Sequence, residues 1–260
     1  MRNSWFKLLA VILVFLFLGL SGACSIIKHK ETRTAPKPEA RASQREVIEP
    51  EEQPLDEADQ ALASGQYARA LDIYKTQLDL KPENRKIQAA ARGALEEIKK
   101  KADEARSQKH YSLAMDGYLL LLKNFDYFSH LISDLSFNSK EIEQYLKECR
   151  LENYLAQIDQ SLKAKKYEQV SSLLQEALKA NPGEARLKKQ IEKLLVELKS
   201  SGDRSLADLD FAWAGWHYGL AKKNWSKFKS YTSSLPFKLE DLDSGLKTCS
   251  QQLTNQGLVE

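Results

Sequence analysis

The sequence predicts an all-α protein: an array of antiparallel helix pairs, preceded by an export signal and a disordered tether. Three observations carry that expectation. Ala, Leu, Lys, Glu and Gln dominate, while glycine is held to 11 and proline to 7 of 260 residues, a helix-forming composition. Beyond residue 54, apolar residues recur at three- and four-residue steps, the period of a helix with one buried face. This pattern comes in pairs broken by short turns, and the pairs recur along the chain.

The unit runs from Leu55 to Pro82 and reads LDEADQALASGQYARALDIYKTQLDLKP. Leu55, Ala58 and Leu62 share one helical face, which Ser64 and Gly65 interrupt. Tyr67, Ala70, Leu71, Tyr74 and Leu78 share the next face, and Pro82 stops it. A turn this short forces the two helices to lie antiparallel. Ala58 and Ala70 are small, so the backbones approach closely. Tyr67 and Tyr74 are large and reach toward the next pair. One pair cannot hide its outer apolar face, so neighbours must follow.

They do follow. Ala102, Tyr111, Ala114, Tyr118 and Leu122 repeat the register, and so do Ile158, Leu162, Tyr167, Val170, Leu174, Leu178 and Pro182. A weaker fourth copy is expected around Trp225, with Trp216, Leu220, Phe228 and Leu235. On these residues the chain resembles the tetratricopeptide-repeat family. The match rests on the first-helix alanines Ala58 and Ala102, the turn glycine Gly65, and the second-helix tyrosines Tyr67, Tyr111 and Tyr167. Ala70, Ala114, Tyr74, Tyr118, Pro82 and Pro182 complete it, and the resemblance implies that the pairs wind into a right-handed superhelical array. Lys109 and Lys165 depart from the pattern at the turn, Val170 and Phe228 at the small position, and Asp126 at a proline. The copies lie about 44 to 58 residues apart, against the family's ~34.

In chain order, residues 1–23 read as a lipoprotein signal peptide. Arg2 and Lys7 give a positive start, and Leu8 to Leu20 is an unbroken apolar run ending in Ser21, Gly22 and Ala23. As a helix that run rises about 20 Å, short of a hydrocarbon core of about 30 Å. LSGAC, ending at Cys24, resembles the bacterial lipoprotein box. The resemblance implies that Cys24 is acylated and becomes the first mature residue. Ser25 after it implies the outer membrane, with the protein facing the periplasm; an inner-membrane anchor is the alternative. Residues 24–54 then form the lipidated N-terminus and a disordered linker, with Pro36, Pro38, Pro50 and Pro54, many charges and little apolar surface.

Residues 55–235 form the array. Asn84 to Ser107 is a long helix with Ile87, Ala91, Ala94, Leu95 and Ile98 inward and a solvated charged face from Glu96 to Lys101. Asn124 to Asn138 breaks the rhythm and reads as a loop or short helix. Its aromatics either tuck under the array or, Phe128 among them, face a partner. Glu184 to Lys199 is another helix, which Ser200-Ser201-Gly202 ends. Asp203 then caps a helix from Leu206 to Lys222. That helix is aromatic on two sides, so it sits between neighbours or lines a groove. Trp213, Trp216 and Tyr218 are its candidate partner-binding residues. Residues 236–260 form a tail with a short closing helix near Leu239 to Leu253.

No catalytic constellation stands out. His29, His110, His130 and His217 are scattered, and none lies at metal-ligand spacing from another histidine or a cysteine. There is no phosphate-binding glycine loop and no GxSxG elbow. The expectation is therefore no enzyme activity, no cofactor and no metal. A formal charge of +3 on mixed-sign faces does not point to nucleic acid. Cys149 and Cys249 would meet an oxidising compartment and are the candidate disulfide. Asn224-Trp225-Ser226 matches a glycosylation sequon, read here as a chance match.

The functional expectation is a membrane-anchored periplasmic adaptor. It would hold another envelope protein or peptide segment in cell-envelope assembly or secretion, using first-helix side chains and the aromatic helix. Two alternatives stand beside it: an accessory regulator of a cell-wall enzyme, and a small-molecule site or enzyme at Trp213 and His217.

Overall fold

Four tight turns set the architecture. In each, one residue takes the left-handed conformation: Gly65 at φ 77°, Lys109 at 62°, Lys165 at 56° and Leu209 at 59°. The next amide then reaches back five residues. Gln66 N–H donates to the Ala61 carbonyl at 2.8 Å, His110 to Ala105 at 2.8 Å, Lys166 to Ser161 at 2.9 Å and Asp210 to Ser205 at 2.8 Å. This closure satisfies carbonyls left over at a helix C-terminus and reverses the chain within three residues.

The computed structural model describes residues 53–132 and 134–257. Its helices are α1 (Gln53–Ala63), α2 (Tyr67–Leu80), α3 (Arg85–Ser107), α4 (Tyr111–Leu131), α5 (Ser139–Lys163), α6 (Tyr167–Ala180), α7 (Ala185–Ala207), α8 (Phe211–Lys227) and α9 (Leu239–Asn255). A single 3-10 turn, Lys229–Tyr231, follows α8. Among the described residues there is no strand. Every helix packs against the next in sequence, and α1, α5 and α7 also touch the helix two further on. The protein is thus an all-α array of sequentially stacked hairpins. The signal peptide, Cys24 and the tether lie outside the described residues.

Side chains start the helices. Asn84 Oδ1 accepts from the amides of Lys86 and Ile87 at the head of α3. Asn138 Oδ1 accepts from Glu141 at the head of α5, and Asp210 Oδ1 from Trp213 at the head of α8. Each satisfies an amide that the helix itself cannot.

The stack is a duplication with a period of one hundred residues. The turn residues Gly65 and Lys165 correspond, as do Lys109 and Leu209. Helices α2 and α6 are both 14 residues long, and α3 and α7 are both 23. Identical residues recur at the offset: Tyr67 and Tyr167, Pro82 and Pro182, Asp103 and Asp203, Tyr118 and Tyr218, Asn124 and Asn224, Cys149 and Cys249. The contacts recur as well. Asn124 and Asn224 each donate to the carbonyl four residues earlier, at 2.8 and 2.9 Å. Phe125 packs on Phe137, and Trp225 on Phe237. The buried residues fall into two clusters, Ala58 to Cys149 and Leu151 to Cys249. Helix α5 belongs to both halves: by register its first part is the counterpart of α9 and its last part the counterpart of α1.

This organisation corrects several expectations. The working unit is a pair of hairpins, not a single one. Asn124 to Leu131 does not break the rhythm but continues α4. Ser200-Ser201-Gly202 is not a turn: α7 runs through it to Ala207, because Gly202 is needed there for packing. A Cβ on Gly202 would lie 2.8 Å from the Tyr218 ring. The fourth pair is α7 with α8 and turns at Leu209 rather than at Trp225; Trp216, Leu220 and Trp225 all lie on α8, while Phe228 and Leu235 lie in the segment after it. The tail's helix is not short: α9 has 17 residues and closes the second core through Leu242 and Cys249. One expectation stands: Asn224 is fully buried, in keeping with its sequon as a chance match.

Candidate functional site

The two halves differ at the seam where the second helix of one hairpin meets the next hairpin. In the first half the seam is an open cleft of about 590 Å³. The turn and first residues of α2 supply Gly65 to Arg69. Helix α3 supplies Ile98, Lys101, Ala102, Glu104, Ala105 and Gln108, and α4 supplies Leu113, Asp116, Gly117 and Leu120. Leu113 stands at the mouth, 62% exposed.

The counterparts of Leu113, Asp116 and Gly117 are Trp213, Trp216 and His217. Their rings occupy the equivalent seam. Trp216 lies 6.4 Å from Tyr167 and His217 lies 6.1 Å from it, between ring centroids. Trp216 meets His217 edge-on at 4.9 Å, and Trp213 meets Trp216 edge-on at 5.4 Å. His217 Nδ1 donates to the Trp213 carbonyl at 2.8 Å, which fixes the ring. Tyr167 is consequently only 1% exposed, whereas its counterpart Tyr67 is only partly buried. A Cβ on Gly117 would lie 2.9 Å from the Cβ of Ala102, so a side chain at 117 needs a shift of α3 against α4.

The expected partner-binding residues therefore separate. Trp213 and Trp216 are exposed, at 56% and 40%, and form one aromatic patch on α8. Tyr218 and Phe128 are core residues, not surface ones. Tyr218 faces the other way on α8, its ring edged by Gly202 of α7 and Gly245 of α9. Its hydroxyl donates to Asp203 Oδ1 at 2.7 Å. Phe128 packs beneath Tyr127, with ring centroids 5.1 Å apart. The helix is apolar on two sides, as expected, but only one side meets solvent.

The disulfide expectation is also corrected. Cys149 and Cys249 are both free and buried. As duplicates of one position they sit in separate cores, on α5 and α9, so burial keeps them apart. Burial also pushes both thiols up from their ordinary range. Cys24 lies outside the described residues.

The same tyrosine–aspartate contact recurs behind these surfaces. Tyr74 donates to Asp59 at 2.6 Å and Tyr118 to Asp103 at 2.5 Å, as Tyr218 does to Asp203. Each joins the two helices of one hairpin across 15 residues of sequence. Burial first, and then the aspartate, raises each phenol well above the ordinary tyrosine range. Around Asp103 the contact widens. Lys99 bonds it at 2.8 Å, and the Arg106 guanidinium lies 3.9 Å above the Tyr145 ring. These groups are structural ties and do not converge on a cavity. Among the described residues no group of three or more His, Cys, Asp or Glu could hold a metal, and no helix is long and apolar enough to cross a membrane.

Sequence reasoning found Trp213 and Trp216 from their density on one helix, but missed the cleft. Its lining is unremarkable residue by residue. The signal that could have found it is the comparison of Leu113, Asp116 and Gly117 with Trp213, Trp216 and His217 at the one-hundred-residue offset. Comparison with known proteins finds no family model and no curated sequence that matches this chain.

Proposed function

We propose that this chain is a membrane-anchored adaptor that recruits another protein of the cell envelope. The reading places an acyl chain on Cys24, a linker after it, and a tetratricopeptide-like array beyond, facing the periplasm from the outer membrane. One observation carries the binding part: two tryptophans, Trp213 and Trp216, stand 56% and 40% exposed side by side on a well-packed helix. Exposing indole to water is costly, and tryptophan is the residue most enriched where proteins grip one another. Stacked helix pairs offer a long surface with little chemistry of its own, which suits binding more than catalysis.

The test uses a Cys24→Ala form as bait against crosslinked envelope membranes, compared with the same bait carrying Trp213→Ala and Trp216→Ala. A partner captured by the first should fall about tenfold or more with the second, at unchanged helical content. Equal capture by both baits, or none by either, would overturn the reading. Mass spectrometry of the mature N-terminus checks the anchor: a diacyl or triacyl mass on Cys24 is expected, and any other starting residue refutes it.

A further inference from the structure

We infer that the cleft of the first repeat is a receptor for an aromatic side chain of indole size, presented on a helix of the partner protein that also carries a basic residue on the same face. This deepens the adaptor reading and rests on it for the source of the ring. The duplication supplies the template. In the second repeat the chain fills this seam with its own helix, laying Trp216 and His217 against Tyr167. In the first repeat, Asp116 and Gly117 stand at those two places, and Tyr67 is left partly uncovered. The wall of Ile98, Ala102, Ala105 and Leu120 is apolar, and about 590 Å³ falls within the roughly 300–1,000 Å³ of sites built for small groups. The first half thus keeps the socket and lacks the ring that the second half holds.

Charge selects the ring's neighbour. Four charged residues line the cleft. Arg69 is paired with Glu57, and Lys101 with Glu97 and Glu104. Asp116 carries no ion pair among the described residues, although it sits at the mouth beside Leu113. Both cations and Glu104 are thus engaged, which leaves the Asp116 carboxylate as the one lining charge outside an ion pair among the described residues. A lysine or arginine on the same face of the incoming helix would meet Asp116.

The chain's own α8 serves as probe. A fluorescein-labelled peptide copied from residues 210–223, DFAWAGWHYGLAKK, carries the rings followed by two lysines. It is titrated by anisotropy against the full chain in phosphatidylcholine nanodiscs, with empty discs subtracted. Saturable binding is expected. Asp116→Trp, which supplies the ring from within, and Leu113→Asp, which removes the apolar lip, should each weaken it about tenfold or more. Leu80→Asp, at least as exposed but outside the cleft, should not. A peptide with both tryptophans replaced by alanine should fail to bind. Circular dichroism melts establish that the variants are folded.

Absence of binding, or binding that neither Asp116→Trp nor Leu113→Asp disturbs, overturns the inference. A dimer in sedimentation that both Asp116→Trp and Trp216→Ala dissolve would put a second copy of this chain in the cleft and overturn the assignment to a separate partner. The two readings fail separately. Tryptophan-dependent capture without peptide binding leaves the adaptor and removes the cleft; cleft binding without capture does the reverse.

Discussion

At the scale of single residues, the hairpins are held by tyrosine hydroxyls and by missing side chains. The phenol of Tyr118 is buried and donates to Asp103, an acceptor already fixed by Lys99. Tyr118→Phe leaves the ring in place and removes that bond, so urea unfolding should show a loss of about 1.5 kcal/mol, typical of a hydrogen bond to a charged group. The pH dependence follows from the same contacts. Folding raises the pKa of Tyr74, Tyr118 and Tyr218, and burial with Asp79 pushes Tyr127 up to about 12. The folded chain therefore keeps protons that the unfolded chain releases near pH ~10. This stability is fully present below that pH and lost above it. The urea midpoint should stay level from neutral pH to about 9, then fall, and fall less steeply in Tyr118→Phe. Glycine acts by absence. Gly202→Ala would put a Cβ 2.8 Å from Tyr218 and should cost about 1–3 kcal/mol, whereas Gly93 on α3 has nothing within 4 Å. Gly93→Ala should therefore stabilise by about 0.5–1 kcal/mol, so the two substitutions should move the melting temperature in opposite directions. The buried faces of Tyr74 and Tyr118 were legible from helical spacing. Tyr218 was not, because Trp213 and Trp216 beside it make the whole helix look apolar, and it takes the contacts with Gly202, Gly245 and Asp203 to show which side is inside.

At the scale of elements, one turn is built four times with four different degrees of ease. Glycine occupies the left-handed position only at Gly65; lysine holds it at Lys109 and Lys165, and leucine at Leu209. A side chain there meets the following carbonyl and costs about 1–2 kcal/mol. Leu209 gains nothing back in the fold, since it is 71% exposed. Leu209→Gly should therefore raise stability by about 1 kcal/mol in a thermal melt, and Gly65→Ala should lower it by a similar amount. This distribution explains where the sequence misleads. A reader looking for glycine at turns finds Gly65 but not Leu209, and takes Ser200-Ser201-Gly202 for a break. The helix-breaking residue and the actual break are separate, because Gly202 answers to the ring of Tyr218 on the neighbouring helix. The long helix from residue 85 to 107 was legible in full, since its cap, Asn84, and its apolar stripe are both local signals.

At the scale of the whole molecule, the period was hidden by unequal hairpins. Tyr67, Tyr111 and Tyr167 mark steps that are alternately short and long, so no single-hairpin spacing fits, and only their sum repeats. Helix α5 hides it further by ending one copy while beginning the next. The two cores meet along that helix, one closing at Cys149 and the other opening at Leu151. Nearest-neighbour stacks transmit cooperativity through such shared elements, so α5 is where the two halves are coupled. Asn153 lies just past the divide, in the interior of α5 and outside both clusters of buried residues. Asn153→Pro removes one backbone bond and kinks the helix at a cost of about 3 kcal/mol, without emptying either core. If the halves fold as one body because α5 is continuous, the unaltered protein melts in a single step and Asn153→Pro in two, each step losing about half of the helical signal. A variant that still melts in one step would mean that the halves are coupled by contacts outside α5, and the seams between hairpins would then carry more of the fold's stability than the shared helix does.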